Sequence, residues 1–222
     1  MDMIQPESVR PIGAEVRSAR RFSAAAIHRL ARWLGRHWLL LLNLAWGLFV
    51  AVPWLAPLLM EAGWAGAARA VYLFYGLQCH QLPQRSFFLF GDELMYSLAE
   101  IQAAWRPTNN PAILRQFIGN PEMGWKVAWS DRMVSMYGSM FLFGLLFWPL
   151  RRRLKPLPLW AFGLLLLPMA VDGMAHLISD YTAGIGQGFR DSNAWLAALT
   201  NNALPPTFYA GDALGSFNSW LR

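Results

Sequence analysis

This chain has 222 residues, 55 % of them apolar and only 14 % charged, with twelve Trp and fourteen Phe. A soluble globular domain carries about 25 % charge, so too few polar groups are present to coat a water-facing surface. Disorder, collagen-like repeats and a disulfide scaffold are also excluded, the last because Cys79 is the sole cysteine.

The net charge of +6 is carried by arginine, 17 of the 19 basic residues, and its placement matters more than its sum. Residues 1–36 hold seven arginines, and 14–36 form an amphipathic pattern. Arg17, Arg20, Arg21, Arg29, Arg32 and Arg36 share one side of a helical wheel, while Val16, Ile27, Leu30, Trp33 and Leu34 share the other. Such a segment either lies on an anionic inner leaflet or simply fixes topology. Nucleic-acid binding is not expected, because these arginines stand at a membrane boundary.

Trp38 to Met60 is an uncharged run of 23 residues. As a helix it covers about 35 Å, enough for a hydrocarbon core of about 30 Å, and predicts a first span over 37–60. It is read as an uncleaved anchor, since its leader and apolar run are too long for a signal peptide.

Segment 61–132 is predicted to be an ordered helical region at the membrane face. Val71 to Gly91 is broken by Gln78, His80, Gln81, Pro83 and Arg85, so it lies at the surface or dips in part-way. A helix is expected from Gly91-Asp92 through Ala104, with Leu94, Met95, Leu98, Ile101 and Trp105 at helical spacing, and a shorter one from Ala112 to Ile118. Trp125 and Trp129 are expected at the bilayer interface.

A second span is predicted over 133–150, a basic loop over 151–155, a third span over 156–180 and a tail without a span over 181–222. The fold class is therefore an all-α integral membrane protein with three transmembrane helices and amphipathic interfacial helices. Segments 1–36 and 151–155 carry the basic excess, whereas 61–132 holds six basic and six acidic residues and 181–222 two of each. The positive-inside rule then places the N-terminus and the 151–155 loop in the cytoplasm, and 61–132 and 181–222 outside.

Asp172, His176 and Asp180 are spaced i, i+4, i+8 and share one face of the third span. In one reading Asp172 pairs with a basic residue such as Arg132 while His176 sits at the interface. In the other, an Asp–His pair one turn apart orients an imidazole, holds a metal or relays a proton. Cys79-His80-Gln81, with Arg85 close behind, offers a thiol beside an imidazole, a candidate nucleophile or metal ligand, although Cys79 also reads as a small packed hydrophobe. The candidate metal set is thus Cys79, His80, Asp172 and His176. No catalytic residue is identified, and no Walker loop, dinucleotide fingerprint, HExxH, CxxC or serine elbow occurs.

The block Cys79-His80-Gln81-Leu82-Pro83-Gln84-Arg85-Ser86-Phe87-Phe88, followed by Gly91, resembles the signature of a bacterial family of predicted membrane proteins of unknown function. In that family a Cys-x-Arg-Cys-x-Gly-x-Tyr-x-Gly block opens a later span. Here the corresponding stretch is Ser130 to Ser139: Arg132 and Tyr137 match, Ser130 and Met133 replace the cysteines, and Ser135 occupies a glycine position. The resemblance points to Arg85, Arg132 and Tyr137 as further site residues, beside Asp180 from the helical spacing, and implies a bacterial inner membrane and a last span beyond Arg222 that this chain would lack by truncation. It implies no activity, cofactor or partner beyond the lipid bilayer.

Three functions are consistent with these residues. The first is a non-catalytic accessory or structural subunit contacting other membrane-protein subunits. The second is an outer-face metal, proton or redox site built from His80, Asp172 and His176, with Cys79 as a further member. The third is a small-solute transporter.

Overall fold

The computed structural model describes residues 12–211 and 214–221, with side chains from residue 26 onward. Helix α1 (Ile12–Glu61) contains the first apolar run, and Pro53 and Pro57 lie inside it, both fully buried. Its segment Ala26–Glu61, helix α5 (Asp131–Leu150) and helix α6 (Leu159–Ala183) are each long and apolar enough to cross a membrane. Leu142, Phe143, Leu164 and Leu165 on the last two are 60 to 70 % exposed. Apolar surface on that scale is tolerated in lipid and not in water.

The chain divides into two compact units, one ending at Leu44 and one beginning at Ala45. In the first, Ile27, Leu30, Trp33 and Leu34 are exposed, and the Trp33 and His37 rings stack at 4.9 Å. The amphipathic pattern also drew on Val16, Arg17, Arg20 and Arg21, whose side chains lie outside the described residues.

In the second unit the chain leaves α1, forms α2 (Ala65–Gly76) and passes through a 3-10 turn (Pro83–Arg85) into strand β1 (Ser86–Leu89). Short helices α3 (Leu98–Ala104) and α4 (Pro111–Leu114) follow, then β2 (Gly119–Asn120) and β3 (Gly124–Ser130), which runs directly into α5. The strands form one antiparallel sheet in the order β1-β3-β2, with Phe88 opposite Lys126 and Asn120 opposite Gly124. After α6 come α7 (Phe189–Ser192), α8 (Ala194–Leu199), α9 (Pro206–Tyr209) and α10 (Phe217–Trp220).

The helical class holds for the membrane helices, and the sheet is an addition to it. Its turn is encoded locally. Asn120 Oδ1 accepts the backbone N–H groups of Glu122 and Met123 at 3.1 and 2.7 Å. Gly124 sits at φ +74°, where a Cβ would overlap the Leu89 carbonyl.

Two expectations for this region are corrected. The helix expected from Gly91-Asp92 starts only at Leu98, where Ser97 and Glu100 form a capping box. Residues before it serve the sheet instead: Phe88 N–H donates to the Leu94 carbonyl, and the Phe88 and Tyr96 rings meet edge to face at 5.1 Å. Helix α4 likewise ends at Leu114 rather than Ile118, because Ile118 supplies its carbonyl to Lys126 N–H.

Trp129 is also not at an interface. It is fully buried, with ring centroids 5.0 Å from Phe49, 5.1 Å from Tyr75 and 5.2 Å from Tyr137. This cluster ties α1, α2, β3 and α5 together. Leu82, Phe88, Ile101, Leu114 and Phe117 form a second core beneath β1.

Candidate functional site

Three arginines organise the polar region where α5 begins and α6 ends. Asp172 is completely buried on α6, which is costly for a carboxylate unless it is paired. Arg132, in the first turn of α5, donates through Nε to Asp172 Oδ2 at 2.8 Å, and its Nη2 lies 2.7 Å from the same oxygen. Arg190 of α7, itself only 3 % exposed, donates through Nη2 to Asp172 Oδ1 and through Nη1 to the Asp172 carbonyl. Asn218 donates to the Arg190 backbone carbonyl at 2.9 Å, which holds the main chain that carries this second arginine. The pairing of Asp172 with Arg132 matches the first of the two sequence readings. Arg190 had no sequence signal beyond being one of two basic residues in the tail.

One and two turns further along α6 stand His176 and Asp180. Arg85, held 7 % exposed by the 3-10 turn, reaches both. Its Nη1 lies 2.8 Å from His176 Nε2 and 3.1 Å from Asp180 Oδ2, while Nη2 donates to Asp180 Oδ1 at 3.2 Å. A guanidinium nitrogen has hydrogens and no lone pair to offer, so His176 Nε2 accepts here and the ring proton sits on Nδ1. That Nδ1 is buried without a hydrogen-bond partner among the described residues. An unmet buried donor costs about 1–3 kcal/mol, a cost the surrounding ion pairs must offset.

The wall opposite α6 is built from the Cys-His-Gln stretch. Gln81 takes a left-handed backbone, φ +52°, and its Nε2 donates to the carbonyls of Tyr72 at 2.9 Å and Ala128 at 2.8 Å. Cys79 Sγ accepts from Gln81 N–H at 3.4 Å and donates to Ser130 Oγ at 3.5 Å. Cys79 and Ser130, 51 residues apart in the chain, are thus brought side by side where β3 runs into α5.

Lys126 is the sole charge in the apolar run of β3. It is fully buried, and Nζ donates to the carbonyls of Gln81 at 2.8 Å and Arg115 at 3.1 Å. Burial pulls its pKa down to about 7, with the Arg115 charge acting in the same direction and Cys79 opposing. A neutral amine has two N–H groups, and the two carbonyls use both. Tyr72 donates its hydroxyl to the Lys126 carbonyl, and burial raises its pKa.

The Cys-His-Gln stretch, the start of α5 and the end of α6 enclose a cavity of about 730 Å³. Cys79, His80, Arg85, Arg132, His176 and Asp180 all line it, whereas Asp172 and Tyr137 do not. Tyr137 packs in the aromatic cluster instead, 5.7 Å from Trp46 and 5.4 Å from Phe49. Among the described residues no three His, Cys, Asp or Glu side chains group as metal ligands. Of the residues expected to hold a metal, Cys79, His80 and His176 share this cavity wall, while Asp172 lies behind it between two guanidiniums.

Residues 122–204 match a family described as "Predicted membrane protein (DUF2085)". An uncharacterised protein of Methanocaldococcus jannaschii is 28 % identical over 118 residues, which cover 52 % of this chain and 54 % of that protein. The chain thus spans about half the length of the curated relative it matches. No solved structure matches it. Three apolar helices of spanning length, and similarity over β3, α5 and α6 to a family of predicted membrane proteins, make this chain a helical membrane protein.

Proposed function

We propose that this membrane protein is a binding protein rather than an enzyme, and that the cavity where α5 begins and α6 ends receives a small ligand on the outer face of a bacterial inner membrane. One observation supports the reading above others. Arg85 of the Cys-His-Gln segment and His176 of a membrane helix, 91 residues apart, meet at 2.8 Å on the wall of a single hollow. Ionisable groups at the end of a span are expensive, and a site is what commonly retains them. The orientation rests on the arginine excess of 1–36 and 151–155.

Native mass spectrometry of the protein released from mild detergent tests this. Wild type is expected to retain a bound small molecule that His176→Ala loses; identical spectra for the two proteins overturn the proposal. The accessory-subunit role has less support, because the exposed faces of α5 and α6 are ones that lipid alone would cover.

A further inference from the structure

Resting on that reading of the cavity, we propose its ligand class: an amphiphile drawn from the bilayer, with an uncharged head bearing carbonyl or hydroxyl groups and a hydrocarbon tail lying on α6. Two adjacent columns of α6 line the hollow. His176 and Asp180 form the polar one, and Leu177 and Tyr181, each one residue later, form the other. Leu177 is 61 % exposed and Tyr181 90 % exposed on a helix apolar enough to span a membrane. The same hollow therefore has a polar floor and a lip continuous with the lipid-facing surface.

Charge selects the head. Two guanidiniums (Arg85 and Arg132) and two carboxylates (Asp131 and Asp180) line the cavity, so their formal charges cancel. Arg85 is held by both oxygens of Asp180, and Arg132 by Asp172. An anionic head would have to displace a carboxylate from Arg85 or Arg132, and a cationic head would have to displace Arg85 from Asp180 or compete with the Arg132 backbone N–H that Asp131 accepts. Around the rim stand the carboxamides of Gln78, Asn109 and Gln187, which donate and accept hydrogen bonds without charge. An uncharged head is matched by such groups, and its tail leaves water along Leu177 and Tyr181.

Cys79 is the sole cysteine of the chain and lines this cavity, so its alkylation reports occupancy. The full chain in phosphatidylcholine nanodiscs is treated with a small maleimide in the presence of decylubiquinone, dioctanoylglycerol, dimethoxybenzoquinone, glycerol or phosphatidylglycerol. One uncharged amphiphile is expected to slow labelling about tenfold at ten times its dissociation constant, and which one does so identifies the source. Its tail-less head is expected to have no effect at equal concentration, and Leu177→Ser to abolish the protection. Equal protection by a tail-less head overturns the lipid-borne route while leaving a ligand cavity in place. Protection by phosphatidylglycerol alone overturns the uncharged head. No protection by any probe overturns the amphiphile itself, and the retained-ligand spectra then judge the cavity separately.

Discussion

Arg132 and Asp172, forty residues apart, meet with Arg132 Nε 2.8 Å from Asp172 Oδ2, joining the first turn of α5 to the interior of α6. Because Asp172 is fully buried and Arg190 approaches its other oxygen, the carboxylate holds three chain segments together.

Asp172→Asn is expected to destabilise the protein by about 3–5 kcal/mol, since it leaves two guanidiniums around an uncharged amide. An exposed control, Glu122→Ala, is expected to change stability by less than about 0.5 kcal/mol. Denaturation midpoints in one detergent give the comparison, and equal midpoints for the two variants would contradict the buried-charge account.

Cys79 Sγ and Ser130 Oγ lie 3.5 Å apart. Ser130→Cys is therefore expected to form an intrachain disulfide with Cys79 under mild oxidation, seen as a reductant-sensitive mobility shift and the loss of both free thiols. A variant that keeps two titratable thiols after oxidation would show that these side chains do not face each other.

Lys126 binds fewer protons folded than unfolded between pH 7 and its ordinary value of 10.5. Stability is thus expected to rise as pH increases through that window, with a slope from this group approaching about 1.4 kcal/mol per pH unit. Below pH 7 the burial penalty is present in full. Lys126→Met is expected to flatten the slope, and unfolding curves of both proteins from pH 6 to 10 measure it; parallel curves would remove Lys126 as the cause.

Gly188 sits against Ser179, and a Cβ there would overlap Ser179 Oγ and come within 2.9 Å of the Ser179 carbonyl oxygen. Ser179 is fully buried and cannot swing away. Gly188→Ala is expected to cost about 1–3 kcal/mol by overpacking. Adding Ser179→Gly relieves the hydroxyl overlap, so a double-mutant cycle should show coupling rather than additivity.

The proposed topology places Cys79 outside and Arg151 to Lys155 inside. An impermeant maleimide is expected to label Cys79 in intact cells, while an added cysteine at Leu154 reacts only after permeabilisation. The reverse pattern would invert the orientation.

The extent to which the sequence disclosed the site varies residue by residue. Asp172, His176 and Asp180 were legible because helical period alone sets them on one face. Arg85 stood out by its place in a specific block, yet its partners did not, since no local rule connects residue 85 with residue 176. Lys126 left a trace, a lone charge among tryptophans, that strand geometry alone turns into meaning. Arg190 left none.

Long uncharged runs, their lengths and the bias of arginine are one-dimensional properties, and hydrocarbon responds to them whatever the rest of the chain does. For that reason the three apolar helices and the helical class followed from residue order alone. Strand β3, the burial of Trp129 and the pairing of Arg85 with His176 and of Arg190 with Asp172 came only with the tertiary structure. Each depends on which distant group arrives to satisfy a backbone amide, a ring face or a buried charge, and that choice is made by packing across the whole unit.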